Sequence, residues 1–212
     1  SKSNKASLCC MGTPILMNLK HYFISFPSAV VVAGGFVEQW GQIYFVWCKA
    51  VIDKDGFRPN VGIILANSHG QVLWAKRLGW DAWQFPQGGI DFGETPLKSA
   101  KRELFEEVGI EGSSVRIIGS MEDWIKYDIP KENRKKRLLQ KNFKGQKQKW
   151  FMFKLIKNID VSFENDPDGE FDDYKWVSYW YPLQSIISFK KDVYRTVLCS
   201  LRVVFCMEQA GD

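Results

Sequence analysis

Histidine is nearly absent from this chain: His21 and His69 are the only two in 212 residues. Neither has a serine or cysteine placed beside it in a way that suits nucleophilic catalysis. The five cysteines, Cys9, Cys10, Cys48, Cys199 and Cys206, include no CxxC pair, and with so little histidine no ligand spacing for zinc remains. Free thiols in a reducing cytoplasm are the expectation. A membrane-spanning helix is excluded as well, because it needs about 20 consecutive apolar residues. The nearest candidate, Phe23 to Val37, is interrupted by Pro27, Ser28 and the Gly34-Gly35 pair. With imidazole, thiol and lipid chemistry set aside, catalysis has to come from carboxylates, and hence from a metal that they hold.

What is present fits a globular protein. Hydrophobic residues make up 45% of the chain, enough for one domain with a substantial core plus an appendage. A net charge of +5, from 29 basic and 24 acidic residues, suits a polyanionic partner but also an ordinary solvated surface. Residues 1–50 differ from the rest, with three of the cysteines and few acids. They are expected to form an N-terminal extension to a domain over residues 51–212. The apolar run from Phe23, preceded by Lys20 and His21 and ending in small residues, also has the make-up of a signal-peptide core.

From Val51 onward the pattern is mixed α/β. Val61–Asn67 and Gln71–Arg77 are β-branched runs separated by Ser68-His69-Gly70, a hairpin signal. Ala82–Gly89 reads as a short strand entering a glycine turn, and further strands are expected in Ser114–Met121, Gln148–Ile156 and Tyr174–Trp180. Thr95-Pro96 suits a helix start and Gly109 a helix end, which brackets Pro96–Val108 as helical. Val193, Val197, Leu201 and Val204 recur at helical spacing and predict a packing face on a C-terminal helix.

The Pro96–Val108 helix carries Glu103, Glu106 and Glu107 within one and a half turns. At 100° per residue, Leu97, Ala100, Leu104 and Val108 form one stripe, and the three acids an adjoining one. Like charges at i,i+3 and i,i+4 cost a few tenths of a kcal/mol each. An acidic helical face in water is commonplace, so the segment ELFEE alone would carry no function. Its surroundings change that. Gly88, Glu94, Arg102, Glu103, Leu104, Glu106, Glu107, Gly109 and Ile110 occupy every specified place of G-x5-E-x7-R-E-U-x-E-E-x-G-U. On that pattern the chain resembles the Nudix hydrolases. Arg102 then reads as the cation that holds Glu94 and the acidic turn in place, and Gly88 as a point of backbone freedom. A hard divalent cation gives the acids a purpose, since Mg2+ takes oxygen ligands and shares them with substrate phosphates.

Beyond the box, GFRPNVGIIL, WQFPQGGID, GQKQKWF and EFDDYKWVSYWYP resemble the bacterial RNA pyrophosphohydrolase branch of that family. The resemblance implies a Nudix α/β/α sandwich around a mixed β-sheet. It also implies a cytoplasmic enzyme that removes pyrophosphate from 5′-triphosphorylated RNA, which promotes RNA decay. The implied metal ligands are Glu103, Glu106, Glu107 and a further acid, Glu170. Mg2+ is the expected cofactor, with Mn2+ or another divalent cation as alternatives. Either Glu106 or Glu170 would accept the proton of the attacking water. Arg58, Arg77 and Lys190 are candidates to meet phosphates and Phe189 to stack on a base. The basic segment Pro130–Lys149 would follow an RNA backbone. DNA and membranes are not expected partners. Two other functions stay open: hydrolysis of diadenosine tetraphosphate or a related dinucleotide, and a non-catalytic RNA-binding module on the same fold. The first fifty residues have no counterpart in the branch. Of the two explanations, a lineage-specific addition or a start placed too far upstream of Val51, the second is expected.

Overall fold

The structure, a computed structural model, describes residues 52–134, 142–166 and 169–211. The expected extension over residues 1–50, with its apolar run, and residues 135–141 of the basic segment lie outside the described residues.

Eight strands form one mixed sheet: β1 (Phe57–Ala66), β2 (Gln71–Arg77), β3 (Trp83–Gln84), β4 (Gln87–Gly89), β5 (Val115–Ser120), β6 (Ile125–Asp128), β7 (Gly145–Leu155) and β8 (Phe171–Ser178). Along the main path the order is β3-β2-β1-β7-β5, with β4 on β1, β6 on β7 and β8 on β2. Among the described residues only β1 and β7 run parallel, from Phe57 opposite Gly145 to Ala66 opposite Lys154. Among the described residues three α-helices accompany the sheet: α1 (Pro96–Val108), α2 (Pro182–Ser185) and α3 (Lys191–Ala210).

The central strands are apolar on both faces because helices cover both. Val61, Ile63 and Leu65 of β1, with Phe151 and Phe153 of β7, belong to a core shared with Ala100, Leu104 and Val108 of α1. Their alternates, Ile64, Ala66, Trp150 and Met152, join a second core with Tyr194, Val197, Leu198 and Leu201 of α3. The expected packing face of α3 is in place, with Val193, Val197 and Leu201 buried and Val204 packed against them. The result is the α/β/α sandwich. Gly62 marks its tightest point, since a Cβ there would lie 2.5 Å from the Trp150 indole. A rigid buried ring cannot retreat, so Gly62→Ala should destabilise by about 1–3 kcal/mol through overpacking. Urea unfolding with an unchanged m-value would measure it.

Helix α1 has the expected bounds. The Thr95 side chain accepts from Lys98 N at 3.3 Å, and Gly109, left-handed at φ 72°, closes the other end. The distribution of its faces differs from the wheel, however. Leu97 is 37% exposed whereas Glu107 is only 4% exposed. Glu107 therefore sits with Ala100 and Leu104 on the side facing the sheet, at i+7 and i+3 from them, rather than on an outer acidic stripe. Other differences have a common cause. β1 starts at Phe57, ahead of Val61, because FRPN pairs with β7, and Gly145–Lys149 is strand rather than basic loop. β6 was not anticipated, being four residues with two charges; it forms because β7 offers an edge. No helix among the described residues is long and apolar enough to cross a membrane, and Cys199 and Cys206 are free and exposed.

Candidate active site

The site is built where β4 leaves the sheet and turns into α1. β4 is pinned to β1 through Asn60–Gly89, Val61–Gly88 and Gly62–Gln87, and the loop after it bends at Gly93, left-handed at φ 77°. Gly93, rather than Gly88, supplies the backbone freedom. Gly88 serves close approach: a Cβ on it would fall 1.9 Å from Cδ of Glu103, so the Glu103 carboxylate occupies the space of the missing side chain.

Arg102 is the hub. Its Nε donates to Glu94 Oε1 at 3.0 Å and its Nη2 to Glu94 Oε2 at 2.9 Å. Nη1 reaches Glu103 Oε1 at 2.6 Å and Glu106 Oε2 at 2.9 Å, while Nη2 also donates to Gly89 O at 2.8 Å and Ser99 Oγ at 3.0 Å. The planar fork of a guanidinium makes this possible, and an ammonium could not match it. Burial works against the charged form of Arg102, but the hydrogen bonds and charges of Glu94 and Glu103 prevail and its pKa is raised. For Glu94, burial raises and the bonded Arg102 lowers, and the net shift is downward.

Glu107 is different in kind. Its Oε2 accepts from Gln87 N at 2.9 Å, but burial and the nearby charges of Glu103, Glu170 and Asp166 push its pKa well above the usual carboxylate value. Among the described residues no three acidic, histidine or cysteine side chains converge closely enough to hold a metal by themselves. The donor set nevertheless fits a hard cation. Mg2+ keeps several waters and is completed by substrate oxygens, so it needs few protein carboxylates rather than a closed cage. Glu103, Glu106, Glu107 and Glu170 would hold it, and its charge would relieve the repulsion at Glu107. Glu103 and Glu106 are at the same time both tied to Arg102.

The remaining expected residues are placed as follows. Glu170 precedes β8, and its carbonyl accepts from Leu78 N at 2.9 Å. Arg58 lies against Gly89, where a Cβ would be 2.1 Å from its Nη2. Arg77 ends β2 opposite Phe171, with a buried Nε that has no hydrogen-bond partner among the described residues. Lys190 is 7% exposed, and its Nζ donates to Gln84 Oε1 at 2.9 Å and Gln87 Oε1 at 3.2 Å. Phe189 is half-buried, with its ring stacked on Tyr127 at 6.3 Å between centroids. In the basic segment Arg134 bonds to Ile129 O and Phe143 O, and Lys147 pairs with Asp53 at 2.8 Å.

Sequence reasoning missed a buried polar chain beside the site. Gln148 Nε2 donates to Asn60 Oδ1 at 3.3 Å and to Gln87 Oε1 at 3.1 Å, and Lys190 completes the chain. A signal was available: Gln146 and Gln148 stand in register with Trp150 and Met152, on the face of β7 where a core residue is due.

Residues 56–197 match the NUDIX domain family. An RNA pyrophosphohydrolase of Aliivibrio fischeri is 52% identical over 159 residues, 73% of this chain and 91% of the relative. One from Yersinia enterocolitica is 50% identical over 153 residues, 70% of this chain and 85% of the relative. Among solved structures, the Escherichia coli dihydroneopterin triphosphate pyrophosphohydrolase superposes with a TM-score of 0.55 at 20% identity, covering 67% of this chain and 95% of that one. That last likeness speaks for the fold alone. With the complete box folded around Arg102 and half the positions shared with relatives across most of their length, the chain belongs to the Nudix family.

Proposed function

We propose that the protein is a Mg2+-dependent RNA pyrophosphohydrolase: water attacks phosphorus in a 5′-triphosphate, one phosphoanhydride bond breaks, and pyrophosphate leaves a 5′-monophosphorylated RNA. The observation that carries this is the 52% identity to an enzyme of that name across 91% of its length. Nudix hydrolases generally use divalent metal ions; Mg2+ is the choice that the all-oxygen donor set favours. When bound, such a cation neutralises phosphate charge and acidifies the attacking water.

The chain's own residues do the rest. Arg102 holds Glu103 and Glu106 in fixed directions, so little reorganisation is needed as charge develops. Glu103, Glu106, Glu107 and Glu170 would hold the cation, and Glu106 or Glu170 would accept the proton of the water. Arg58 over Gly89, Lys190 reaching Gln87, and Arg77 beside the Glu170 segment flank this turn and are assigned to phosphate oxygens. Phe189 is assigned to the first base. The basic segment from Lys131 would follow the downstream phosphates. Hydrolysis of diadenosine tetraphosphate would use the same metal chemistry.

A side-by-side assay decides between them. Pyrophosphate should appear from triphosphorylated RNA only with a divalent cation present, and kcat/KM should exceed that for diadenosine tetraphosphate. Turnover of the dinucleotide without pyrophosphate release from RNA would replace this function by the alternative. Binding of RNA with no turnover of either substrate would leave a binding module.

A further inference from the structure

Glu170 occupies an awkward place. It stands one residue before β8, whose ladder with β2 ends at Arg77 opposite Phe171 after a shift of register between Lys76 and Arg77. No strand pairing fixes it. Its two backbone groups are instead held from outside the ladder. Leu78 N donates to the Glu170 carbonyl at 2.9 Å, and the Glu170 N–H donates to Oδ2 of Asp166. The other Asp166 oxygen, Oδ1, accepts from Gly169 N at 3.0 Å, so a single carboxylate collects two successive amides. Gly169 is left-handed at φ 60°, and a Cβ on it would sit 3.3 Å from Leu78 Cδ2. The segment is therefore clamped between the Asp166 carboxylate and the β2–β3 turn. Asp166 and Glu170 both act on the buried Glu107, which places the clamp at the edge of the acidic site.

We propose that Asp166 is a positioning residue for the reaction: by binding the Gly169 and Glu170 amides it sets the direction from which the Glu170 carboxylate enters the site. The proposal rests on the hydrolase reading above. It gives Asp166 no contact with substrate or metal, and so differs from a direct ligand in what substitution should do.

The test is a double-mutant cycle in the full chain, with kcat and KM measured on triphosphorylated RNA at saturating Mg2+. Asp166→Ala should lower kcat about tenfold with KM within about twofold, the usual scale for losing a residue that orients a metal-site group. In a Glu170→Gln background Asp166→Ala should change kcat by less than about twofold, since two residues acting through one group are not additive. Equal losses in both backgrounds would overturn the proposal, because Asp166 would then act independently of Glu170. Unchanged kcat in Asp166→Ala would overturn it as well. If the unsubstituted enzyme releases no pyrophosphate from RNA, the function proposed above fails while this inference is still decided: the same cycle is read as Mn2+ affinity by titration calorimetry. Weakening by Asp166→Ala that disappears in the Glu170→Gln background supports it, and weakening that persists, or is absent in both, overturns it.

Discussion

Glu107→Gln should lower turnover at saturating Mg2+ by at least about a hundredfold while the fold is kept, because one anionic ligand of the cation that stabilises the transition state is lost. The substitution is nearly isosteric, and a glutamine oxygen can still accept from Gln87 N, the one hydrogen bond through which the buried carboxylate is tied to β4. Circular dichroism should barely change. Stability should move in the opposite direction from activity. In the metal-free protein the folded pKa of Glu107 is raised above its ordinary value of 4.5. A group raised in this way contributes stability below about pH 4.5 that is lost as pH rises through the folded pKa. Metal-free wild type should therefore lose thermal stability as pH rises from the ordinary carboxylate range toward neutrality, and the Gln variant should lose less. Adding a divalent cation should raise the melting temperature of wild type more than that of the variant. Near-normal turnover of Glu107→Gln would remove Glu107 from the metal site.

Arg102→Ala is expected to damage both fold and chemistry. The guanidinium side chain is 19% exposed and its partners Glu94, Glu103 and Glu106 are 5%, 12% and 16% exposed. Removing the shared cation leaves three half-desolvated carboxylates and the Gly89 carbonyl without it. Breaking a fully buried pair costs about 3–5 kcal/mol, so about 2–4 kcal/mol suits this partly hydrated cluster. Turnover should fall by at least about tenfold, because Glu103 and Glu106 lose the donor that aims them. Arg102→Lys should rescue little of either, as one ammonium cannot reach both Glu94 oxygens, both helix acids and a carbonyl together. Urea unfolding of the three proteins checks this; a loss below about 0.5 kcal/mol for Ala would show that the cluster is solvated and independent of its hub.

The helix that bears the site was readable to its last residue, because Thr95 and Gly109 are local signals that act on their own neighbours. The hub at Arg102 was readable for a similar reason: Glu94, Glu103 and Glu106 lie within one loop and helix of it. What could not be read depends on partners far along the chain. Glu107 looked like an acid on a solvent-facing stripe until β4 was placed against it, and Leu97 looked like core although it is 37% exposed. The four residues FRPN became strand only because Gly145–Gln148 lay alongside, and β6 exists only as an addition to the opposite edge of those same residues. Lys190, read as a candidate to meet phosphate, is buried against Gln84 and Gln87, a placement that its neighbours in sequence do not reveal. Periodicity records the faces of one element; it does not say which neighbour arrives.

The parallel pairing of β1 with β7 has a consequence for how the chain folds. Phe57 meets Gly145, so the two central strands are joined across a separation of 145 − 57 = 88 residues. A ribosome delivers β1, β2, β4 and α1 well before the partner that completes their sheet. Until Gly145 and the residues after it emerge, the β7-facing edge of β1 stays open and the apolar side of α1 lacks Phe151 and Phe153. Such long-range closure makes folding slow and exposes an edge to association in the meantime. A chain truncated before Gly145 would hold every residue of the Arg102 cluster and yet lack the central strand on which β1, β5 and β6 converge.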